Sequence, residues 1–538
     1  MGIPSFYKHL LQTIVGITTK TLSKAPEFFG LDLNCAIYHC VKKVQTKLPY
    51  NEEIQPKWEQ TLITEVLDYI KLMRTLVKPT IQMYIAVDGV APMAKIKQQR
   101  MRRFKSSVLA EEEGIVRAQA KGVAYVKQPR WDTNAITPGT KFMEHLTRDL
   151  RTFARTNPQQ IVVSSSDEPG EGEQKIMEYL RRNPCKEAVI YGLDADLIVL
   201  SLYASVKQDI NIHLFREEVE MTGHVKSDKD GQESFLYLRC SALKDALYEA
   251  YRKPGQSQTE FLIDFVALMS ILGNDFVPHG MSLKIRDEGI EKLLQIYKTS
   301  VSEPLLKYTQ TIPTYNESAL LQLFQAIEVK EPLWILKGIK SKLFARSFCA
   351  SKDLADIAVS KLNDLPLTWA KETCLVQSHS PEAKQCSLRA DWQTIYDKEA
   401  LWGADPVEAA KVYLEALAWT FAYYRGESVD MHWYYPWPLP PRTETIVQVL
   451  MSAYSIQTPN TLRDPIRPLE QLAMVLPQTS FALLPQEYGQ LPIQHPYAWP
   501  HQWATYSLGR RFLWECEPLI PLIQPSQIKQ WIETLYET

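Results

Sequence analysis

Several features that would define a secreted, zinc-binding or membrane protein are missing from this sequence. Its eight cysteines form no Cys-x-x-Cys pair, which argues against a zinc site and against a disulfide framework. No run of about 18 apolar residues is present, and the N-terminus lacks the apolar segment of a signal peptide. The net charge of −2 attracts no nucleic acid overall, so any phosphate-binding surface must be local. These absences predict an intracellular protein with no membrane segment.

The length and the order of the apolar runs predict several regions. A chain of 538 residues is too long for one core, so two or three domains are expected. Residues 1–300 alternate strand-like and helix-like runs, which predicts an α/β domain with a mostly parallel sheet flanked by helices. Residues 301–390 are expected to form a helical connecting region with a polar loop near 377–390. Residues 391–538, rich in Trp, Tyr and Pro, are expected to form a second, mainly helical and loop-rich region.

Individual runs give more local expectations. A helix-length run covers Trp58–Val77, and QQIVVSSS (159–166) reads as a strand before the turn at 168–170. The run FLIDFVALMSILGND (261–275) is apolar almost all round, which predicts a buried helix. The prolines in WYYPWPLPPR (433–442) exclude a regular helix there.

Seven acidic residues follow strand-like runs or stand near turns. Because the ligand crevice of an open α/β sheet lies at the carboxyl ends of its strands, several of these acids are expected to meet there. Gathered carboxylates without matching bases repel each other, and two divalent cations about 3.5–4 Å apart remove that repulsion and promote phosphodiester hydrolysis. A single acid pair is more often a solvated surface feature, but the whole set favours a metal site: Asp32, Asp88, Glu171, Glu173, Asp194, Asp196 and Asp275.

Two pairs of these acids are spaced i, i+2, in Glu171-Gly172-Glu173 and in Asp194-Ala195-Asp196. On a strand or tight turn such side chains point the same way, whereas on a helix they diverge by about 200°. The preceding Pro169-Gly170 favours a turn for the first pair.

A basic block follows Asp88, with six basic residues and no acid between positions 93 and 107. On a helix, four polar residues of this block fall within roughly 100° of one another and form one face: Lys95, Gln99, Arg102 and Arg103. Guanidinium and ammonium groups suit phosphate oxygens. A solvated face or a nuclear-localisation run is the alternative, but the position after Asp88 favours a pocket for a terminal phosphate beside the metals.

Aromatic residues form a third pattern. Trp433, Tyr434, Tyr435 and Trp437 cluster in the second region, and Tyr38 follows Asp32 by six residues. Single-stranded bases stack on such rings. Packing of a proline-rich loop explains the cluster equally well.

Long stretches of the chain resemble the XRN family of 5′→3′ exoribonucleases. The blocks occur in the family's order and cover nearly the whole chain: MGIPSFYKHL, AVDGVAPMAKIKQQRMRRFK, ITPGTKFM, PGEGEQKIMEYLR, YGLDADLIVLSL, LGNDFVPHGMSLKIRDEGI, YLEALAWTFAYYRGESVDMHWYYPW, RPLEQLAMVLP and HPYAWPHQWATYSLGRRFLWECEPLIP.

The resemblance implies a PIN/flap-nuclease-like fold, with the second region embracing the active site, and a role for each candidate residue. The seven acids are then the ligands of two Mg²⁺ ions, or Mn²⁺. The four polar residues of the basic block bind a 5′-monophosphate. Trp433 stacks on the base at the 5′ end, and Tyr38 occupies the place of the family's stacking histidine.

The sequence departs from the family at a few of these positions. Tyr38 keeps a ring but changes its shape. Cys35 stands where the family has Gly, Gln174 where it has His, and Met431 where Trp is common. No metal ligand is altered. The chain stops where the family's shared core stops, which suits a minimal member from a virus or a small genome.

The resulting hypothesis is processive 5′→3′ hydrolysis of single-stranded, 5′-monophosphorylated (decapped) RNA to nucleoside 5′-monophosphates. Its setting would be RNA and mRNA decay by a monomer in the cytoplasm, or in the host cytoplasm for a viral protein, with a nuclear location as the alternative. A flap-type DNA endonuclease and an inactive RNA-binding scaffold are the competing hypotheses. Against the endonuclease, MSLKIRDEGIEKLL after Asp275 contains no Gly-x-Gly hairpin. Against the scaffold, all seven acids are present.

Overall fold

The computed structural model describes residues 6–157, 159–192, 194–219, 225–227, 232–309, 312–345, 349–380 and 385–537. The first five residues of the MGIPSFYKHL block therefore lie outside the described residues. Within these ranges the N-terminal part is built on one seven-stranded sheet, whose strands are β1 (Thr18–Thr19), β2 (Phe28–Asp32), β3 (Gln82–Ala86), β4 (Ile161–Ser164), β5 (Glu187–Tyr191), β6 (Asn211–Glu217) and β7 (Phe235–Arg239).

The sheet is mostly parallel, as predicted. Its strand order is β1-β7-β6-β5-β2-β3-β4, and the strands from β6 to β4 pair in parallel. Only the β6–β7 and β7–β1 pairings at one edge are antiparallel. Every residue of the central strand β2 is buried, which is typical of a parallel strand covered by helices on both faces.

The helices of this part are α1 (Phe6–Thr13), α2 (Leu33–Lys47), α3 (Gln55–Val77), α4 (Met93–Ala120), α5 (Lys141–Arg155), α6 (Gly172–Arg182), α7 (Asp196–Lys207), α8 (Cys240–Tyr251), α9 (Gln258–Met269) and α10 (Gly289–Ser300). The helix predicted at Trp58–Val77 is confirmed within α3. The apolar run before Asp275 forms α9 and a short 3-10 turn, Ser270–Leu272, and every residue from Phe261 to Leu272 is buried.

The remaining elements are β8 (Leu306–Thr309), β9 (Ile312–Tyr315), α11 (Glu317–Glu328), α12 (Glu331–Leu343), α13 (Leu354–Asn363), α14 (Leu365–Trp369), β10 (Val376–Ser380), β11 (Gln385–Leu388), α15 (Trp392–Leu401), α16 (Pro406–Arg425), α17 (Thr443–Met451), α18 (Pro468–Val475), α19 (Leu491–Gln494), β12 (Thr505–Tyr506), β13 (Glu517–Pro518) and α20 (Pro525–Glu537). Residues 433–442 contain no helix, as their prolines predict.

One expectation for the connecting region is wrong. In the polar stretch at 377–390, β10 and β11 pair antiparallel, so its described residues are mostly strand and not loop. Its polar composition hid the strands, because only a few apolar residues among the polar ones, such as the buried Val376 and Cys386, pack them against an apolar cluster. The domain limits at residues 300 and 390 fall at the end of α10 and just before α15, and they stay a prediction. No helix in the described part of the chain has the length and hydropathy needed to cross a membrane.

The long helix α4 joins the two parts of the molecule. Its Met93, Ile96 and Phe104 share a buried cluster with residues of α18 and α20. Of the six basic side chains between positions 93 and 107, three donate to main-chain carbonyls of the second region: Lys97 to Tyr435 (2.6 Å), Arg100 to Met474 (2.6 Å) and to Pro521 (2.9 Å), and Lys105 to Trp514 (2.6 Å). The structure therefore divides the six basic residues into two groups. Three are docking residues, which hold α4 against the second region, and the other three are the basic residues of the predicted site: Lys95, Arg102 and Arg103.

Arg100 should be the strongest of these docking contacts. Its guanidinium is fully buried and also donates to the carbonyl of Ala498. We expect Arg100→Met to leave these carbonyls unpaired and to destabilise the protein by about 3 kcal/mol or more, since each buried orphan costs about 1–3 kcal/mol. Calorimetry measures this as a lower unfolding midpoint. Arg117→Met is the control, because Arg117 lies on α4 in an exposed pair with Asp356. Equal midpoints for the two variants would contradict the docking role.

Candidate active site

Four of the seven acids lie at or after the carboxyl ends of four neighbouring parallel strands. Asp32 is the last residue of β2, and Asp88 follows the end of β3 by two residues. Asp194 follows β5, and Glu171 comes after the turn that leaves β4. The chain runs from β2 to β3 and β4 on one side and returns to β5 on the other side of β2. Such a reversal is where open α/β sheets bind their ligands, and these acids lie at it.

Short contacts hold the acids close together at this crevice. The Asn34 Oδ1 accepts a hydrogen bond from the main-chain N–H of Asp88 at 3.0 Å. The Gly172 N–H donates to Asp88 Oδ1 at 2.7 Å. A Cβ at Gly172 would lie 2.7 Å from Asp32 Oδ1, so glycine lets the start of α6 approach Asp32 this closely.

The acid pairs are placed differently from the expectation. Glu171 is the N-cap of α6 and Glu173 lies in its first turn, while Asp196 is the first residue of α7. The second acid of each pair is thus helical rather than on a strand or tight turn. A helix N-terminus favours a carboxylate because the unpaired N–H groups give it partial positive charge, so both helices aim this end at the crevice.

Lys95 lies inside the acid cluster. Its ammonium pairs with Glu171 Oε2 at 2.8 Å and with Asp275 Oδ2 at 2.7 Å, and its side chain is 12% exposed. Burial alone would lower the pKa of Lys95, but Asp275 and Glu171 hold it well above its usual value. A residue predicted to bind the terminal phosphate is therefore placed by the structure between two predicted metal ligands.

Most of the acids are costly to ionise in this site. Burial raises the pKa of Asp32 well above its usual value, and the charges of Asp88 and Asp194 add to the effect. Burial and the neighbouring Asp196 do the same for Glu173. Burial and Asp275 raise the pKa of Asp196 to about 7. Asp275 differs, because Lys95 overcomes burial and lowers its pKa.

The donor set fits hard divalent cations. Asp32 Oδ1 and Glu173 Oε2 are buried without a hydrogen-bond partner among the described residues, and the Tyr424 hydroxyl beside the cluster is buried in the same way. Carboxylate oxygens in this number are the ligands that Mg²⁺ and Mn²⁺ prefer. In the described part of the chain no three His, Cys, Asp or Glu side chains are already arranged as a metal cage. Lys95 instead supplies the neutralising charge.

The other predicted phosphate-binding residues lie further along α4. Gln99 and Arg103 are buried, and Gln99 Oε1 and Arg103 Nη1 have no hydrogen-bond partner in the described ranges. Burial lowers the pKa of Arg103 to about 10, and the nearby Tyr38 opposes that shift. Arg102 is half-buried beside them. The structure thus brings Tyr38, the predicted stacking residue, next to a buried cation that forms no ion pair among the described residues.

The second region contributes side chains that the sequence reasoning missed. The Tyr423 hydroxyl on α16 donates to Glu171 Oε1 at 3.2 Å. Phe276 packs edge-on against Tyr423, with ring centroids 5.3 Å apart. Trp433, the predicted stacking residue, is half-buried near α16 and stacks on Trp419 at 5.6 Å. The run FAYYRGE carries these tyrosines, but nothing in its local pattern separates them from ordinary core residues.

The fold and this cluster of acids beside a basic helix place the chain among the PIN-like α/β nucleases. Residues 1–218 match the sequence family described as the XRN 5'-3' exonuclease N-terminus. Residues 257–328 and 399–538 match the Xrn1 helical domain. The chain belongs to the XRN family.

Named relatives agree with this assignment. The chain is 29% identical to human 5'-3' exoribonuclease 1, over 99% of this chain and 34% of the relative. It is 26% identical to 5'-3' exoribonuclease 1 of Schizosaccharomyces pombe, over 98% of this chain and 48% of the relative. It is 25% identical to 5'-3' exoribonuclease 2 of Candida albicans, over 100% of this chain and 72% of the relative. The chain thus spans about a third to a half of the length of the first two.

Proposed function

We propose that this chain is a processive 5′→3′ exoribonuclease that hydrolyses single-stranded RNA with a 5′-monophosphate to nucleoside 5′-monophosphates. The observation that carries the proposal is the single helix α4, on which Lys95 lies among the acids and Arg103 is a buried guanidinium that forms no ion pair among the described residues. They are eight positions apart, about 12 Å along a helix. One end of one RNA strand can therefore reach both groups, with its terminal phosphate at Arg103 and a phosphodiester at the acids.

Two divalent cations, Mg²⁺ or Mn²⁺, would be held by the seven acids. When bound, they would supply water activation and charge neutralisation at the leaving 3′-oxygen. The buried, unpartnered oxygens of Asp32 and Glu173 and the raised pKa values of the cluster support this part of the proposal, because such acids need cationic neutralisation near neutral pH.

The protein's own side chains bind and orient the RNA in this proposal. Arg103, Arg102 and Gln99 hold the terminal phosphate, and a guanidinium buried without an ion pair gains most from an anion. A cap or triphosphate would need room for additional charged groups beside these buried side chains. Trp433 and Tyr38 hold bases by stacking, which is tolerant of sequence. Lys95 stays protonated and fixes the Glu171 and Asp275 carboxylates.

One RNA labelled at its 3′ end tests the proposal directly. It would carry a 5′-monophosphate, a 5′-triphosphate or a 5′-hydroxyl, and each form would be incubated with the protein and Mg²⁺, with and without EDTA. We expect rapid, EDTA-sensitive loss of the monophosphate form alone, without discrete intermediates. Equal cutting of all three would indicate an endonuclease, and binding without cutting would indicate an RNA-binding scaffold. Either result would overturn the proposal.

The biological setting is also a proposal. The relatives that match are named exoribonucleases, which supports a role in RNA degradation. We propose that the chain acts as a monomer in the cytoplasm, on decapped RNA. Gel filtration with light scattering and imaging of the tagged chain test these two points.

A further inference from the structure

A continuous aromatic column runs through the second region toward the acids. Trp433 stacks on Trp419, with centroids 5.6 Å apart and planes 27° apart. Trp419 in turn stacks on Tyr423 at 5.1 Å and 12°. The carbonyl of Asp430 fixes this arrangement, because it accepts from Trp419 Nε1 at 2.9 Å and from the Trp433 main-chain N–H at 3.2 Å. Trp419 is fully buried, so the column cannot shift without its neighbours.

The buried end of the column touches the catalytic carboxylates. The Tyr423 hydroxyl donates to Glu171 Oε1, while Lys95 pairs with the other oxygen of Glu171. Phe276, the residue after Asp275, packs edge-on against Tyr423 and also against Trp419, at 5.3 Å in both contacts. Both carboxylates that pair with Lys95 are therefore connected to this ring stack. Glu171 is connected by the hydrogen bond from Tyr423, and Asp275 by its neighbour Phe276.

We infer that Tyr423 is a positioning residue, and that the column formed by Trp433, Trp419 and Tyr423 couples a base stacked on Trp433 to the orientation of the Glu171 carboxylate. The inference rests on the proposed function. Through this coupling, a 5′ nucleotide whose base stacks on Trp433 would orient the Glu171 carboxylate within the acid cluster. The rate of cleavage would therefore depend on the base as well as on the terminal phosphate.

The geometry around Trp433 and Tyr423 leaves room for this coupling. The ring of the half-buried Trp433 stacks on Trp419 with one face. A base would stack on the other face. The bond from Tyr423 to Glu171 measures 3.2 Å, whereas O–H···O bonds are usually 2.5–3.0 Å long. Catalytic hydrogen bonds are often long in the free enzyme and tighten when substrate binds.

Tyr423→Phe tests the hydroxyl while keeping the ring. Because partners that orient metal ligands change activity or metal affinity about 10- to 100-fold, we expect kcat to fall about tenfold. KM for 5′-monophosphorylated RNA should change little, since the column and the phosphate pocket remain. Tyr413→Phe is the matched control, because Tyr413 is buried on the same helix and packs against Tyr435 instead. Equal kcat values for the two variants would overturn the inference.

An RNA whose 5′ nucleotide lacks its base tests the coupling. In the wild-type chain, removing the base should lower kcat about tenfold, whereas in Tyr423→Phe it should cause little further loss. Mn²⁺ affinity, measured by electron paramagnetic resonance with the same RNAs carrying a non-hydrolysable first linkage, should follow the same pattern. If removal of the base and the Tyr423→Phe change lowered kcat and Mn²⁺ affinity by independent factors that multiply, the ring stack and Glu171 would act independently. That result would overturn the inference.

The design separates failure of this inference from failure of the proposed function. If the wild-type chain degrades none of the RNAs with Mg²⁺ or Mn²⁺, the exoribonuclease proposal fails and the inference fails with it. If the wild-type chain degrades monophosphorylated RNA but cleaves the base-less RNA equally fast, only the coupling fails.

Discussion

Asp196→Asn should abolish RNA cleavage, lowering kcat by about 1,000-fold or more. Asp196 is buried within the acid cluster, and asparagine keeps its shape but removes the negative charge that a cation needs. Metal neutralisation of the reacting phosphate contributes several kcal/mol, and each 1.36 kcal/mol corresponds to a factor of ten in rate. Single-turnover cleavage of 5′-monophosphorylated RNA measures the loss. The same result is expected for Asp194→Ala and Asp196→Ala.

Asp264→Asn is the matched control for this variant. Asp264 is a buried aspartate on α9 whose pKa is raised to about 6 by burial, but it accepts a hydrogen bond from Tyr297 away from the cluster. Its kcat should stay near that of the wild-type chain. Cleavage by Asp196→Asn at more than a few per cent of the wild-type rate would remove Asp196 from the set of metal ligands.

Asp196→Asn should also change the stability of the metal-free protein. The pKa of Asp196 is about 7 in the fold against 3.8 ordinarily, so ionising it favours the unfolded state. The protonated Asp196 carboxyl therefore contributes to the free energy of unfolding below about pH 4. This contribution is lost as the pH rises through about 7. In EDTA at pH 8 the variant should therefore melt at a higher temperature than the wild-type chain. Added Mg²⁺ should stabilise the wild-type chain more than the variant.

Arg103→Met should remove the preference for a 5′-monophosphate over a 5′-hydroxyl. Charge-assisted hydrogen bonds contribute about 1.5–3 kcal/mol, so the ratio of kcat/KM for the two RNA ends should fall about 10- to 100-fold. Competition between the two RNAs in one reaction measures this ratio directly. Asp196 and the other acids are untouched, so cleavage of the 5′-hydroxyl RNA should be nearly unchanged.

The fold should tolerate the loss of Arg103. A buried guanidinium without an ion pair among the described residues costs desolvation energy, and replacing such a charge by an apolar side chain is often neutral or stabilising. We expect an unfolding midpoint at least equal to that of the wild-type chain. Arg117→Met, on the exposed part of the same helix, should change neither specificity nor stability. An unchanged end preference in Arg103→Met would place the phosphate pocket elsewhere.

Local sequence patterns were sufficient to predict secondary-structure elements of the sheet domain and to indicate the type of chemistry. Apolar runs of strand length followed by acids predicted β2 with Asp32 and β5 with Asp194, because a parallel strand buried on both faces leaves few alternatives in sequence. The spacing of four polar residues in the basic block fits one face of a helix, and α4 is that helix. The paired strands β10 and β11 were missed, because their few apolar residues, such as the buried Val376 and Cys386, are scattered among polar ones and form no clear strand pattern.

Only the tertiary structure decided which side chains meet. Lys95 pairs with Asp275 across 180 positions, and Tyr423 reaches Glu171 across 252 positions. The same packing assigned Lys97, Arg100 and Lys105 to docking and left Arg103 without an ion pair among the described residues. Local patterns record secondary structure and burial because those depend on neighbours in the chain. Contacts between distant residues depend on how the helices and the sheet pack, and no short segment of sequence carries that information.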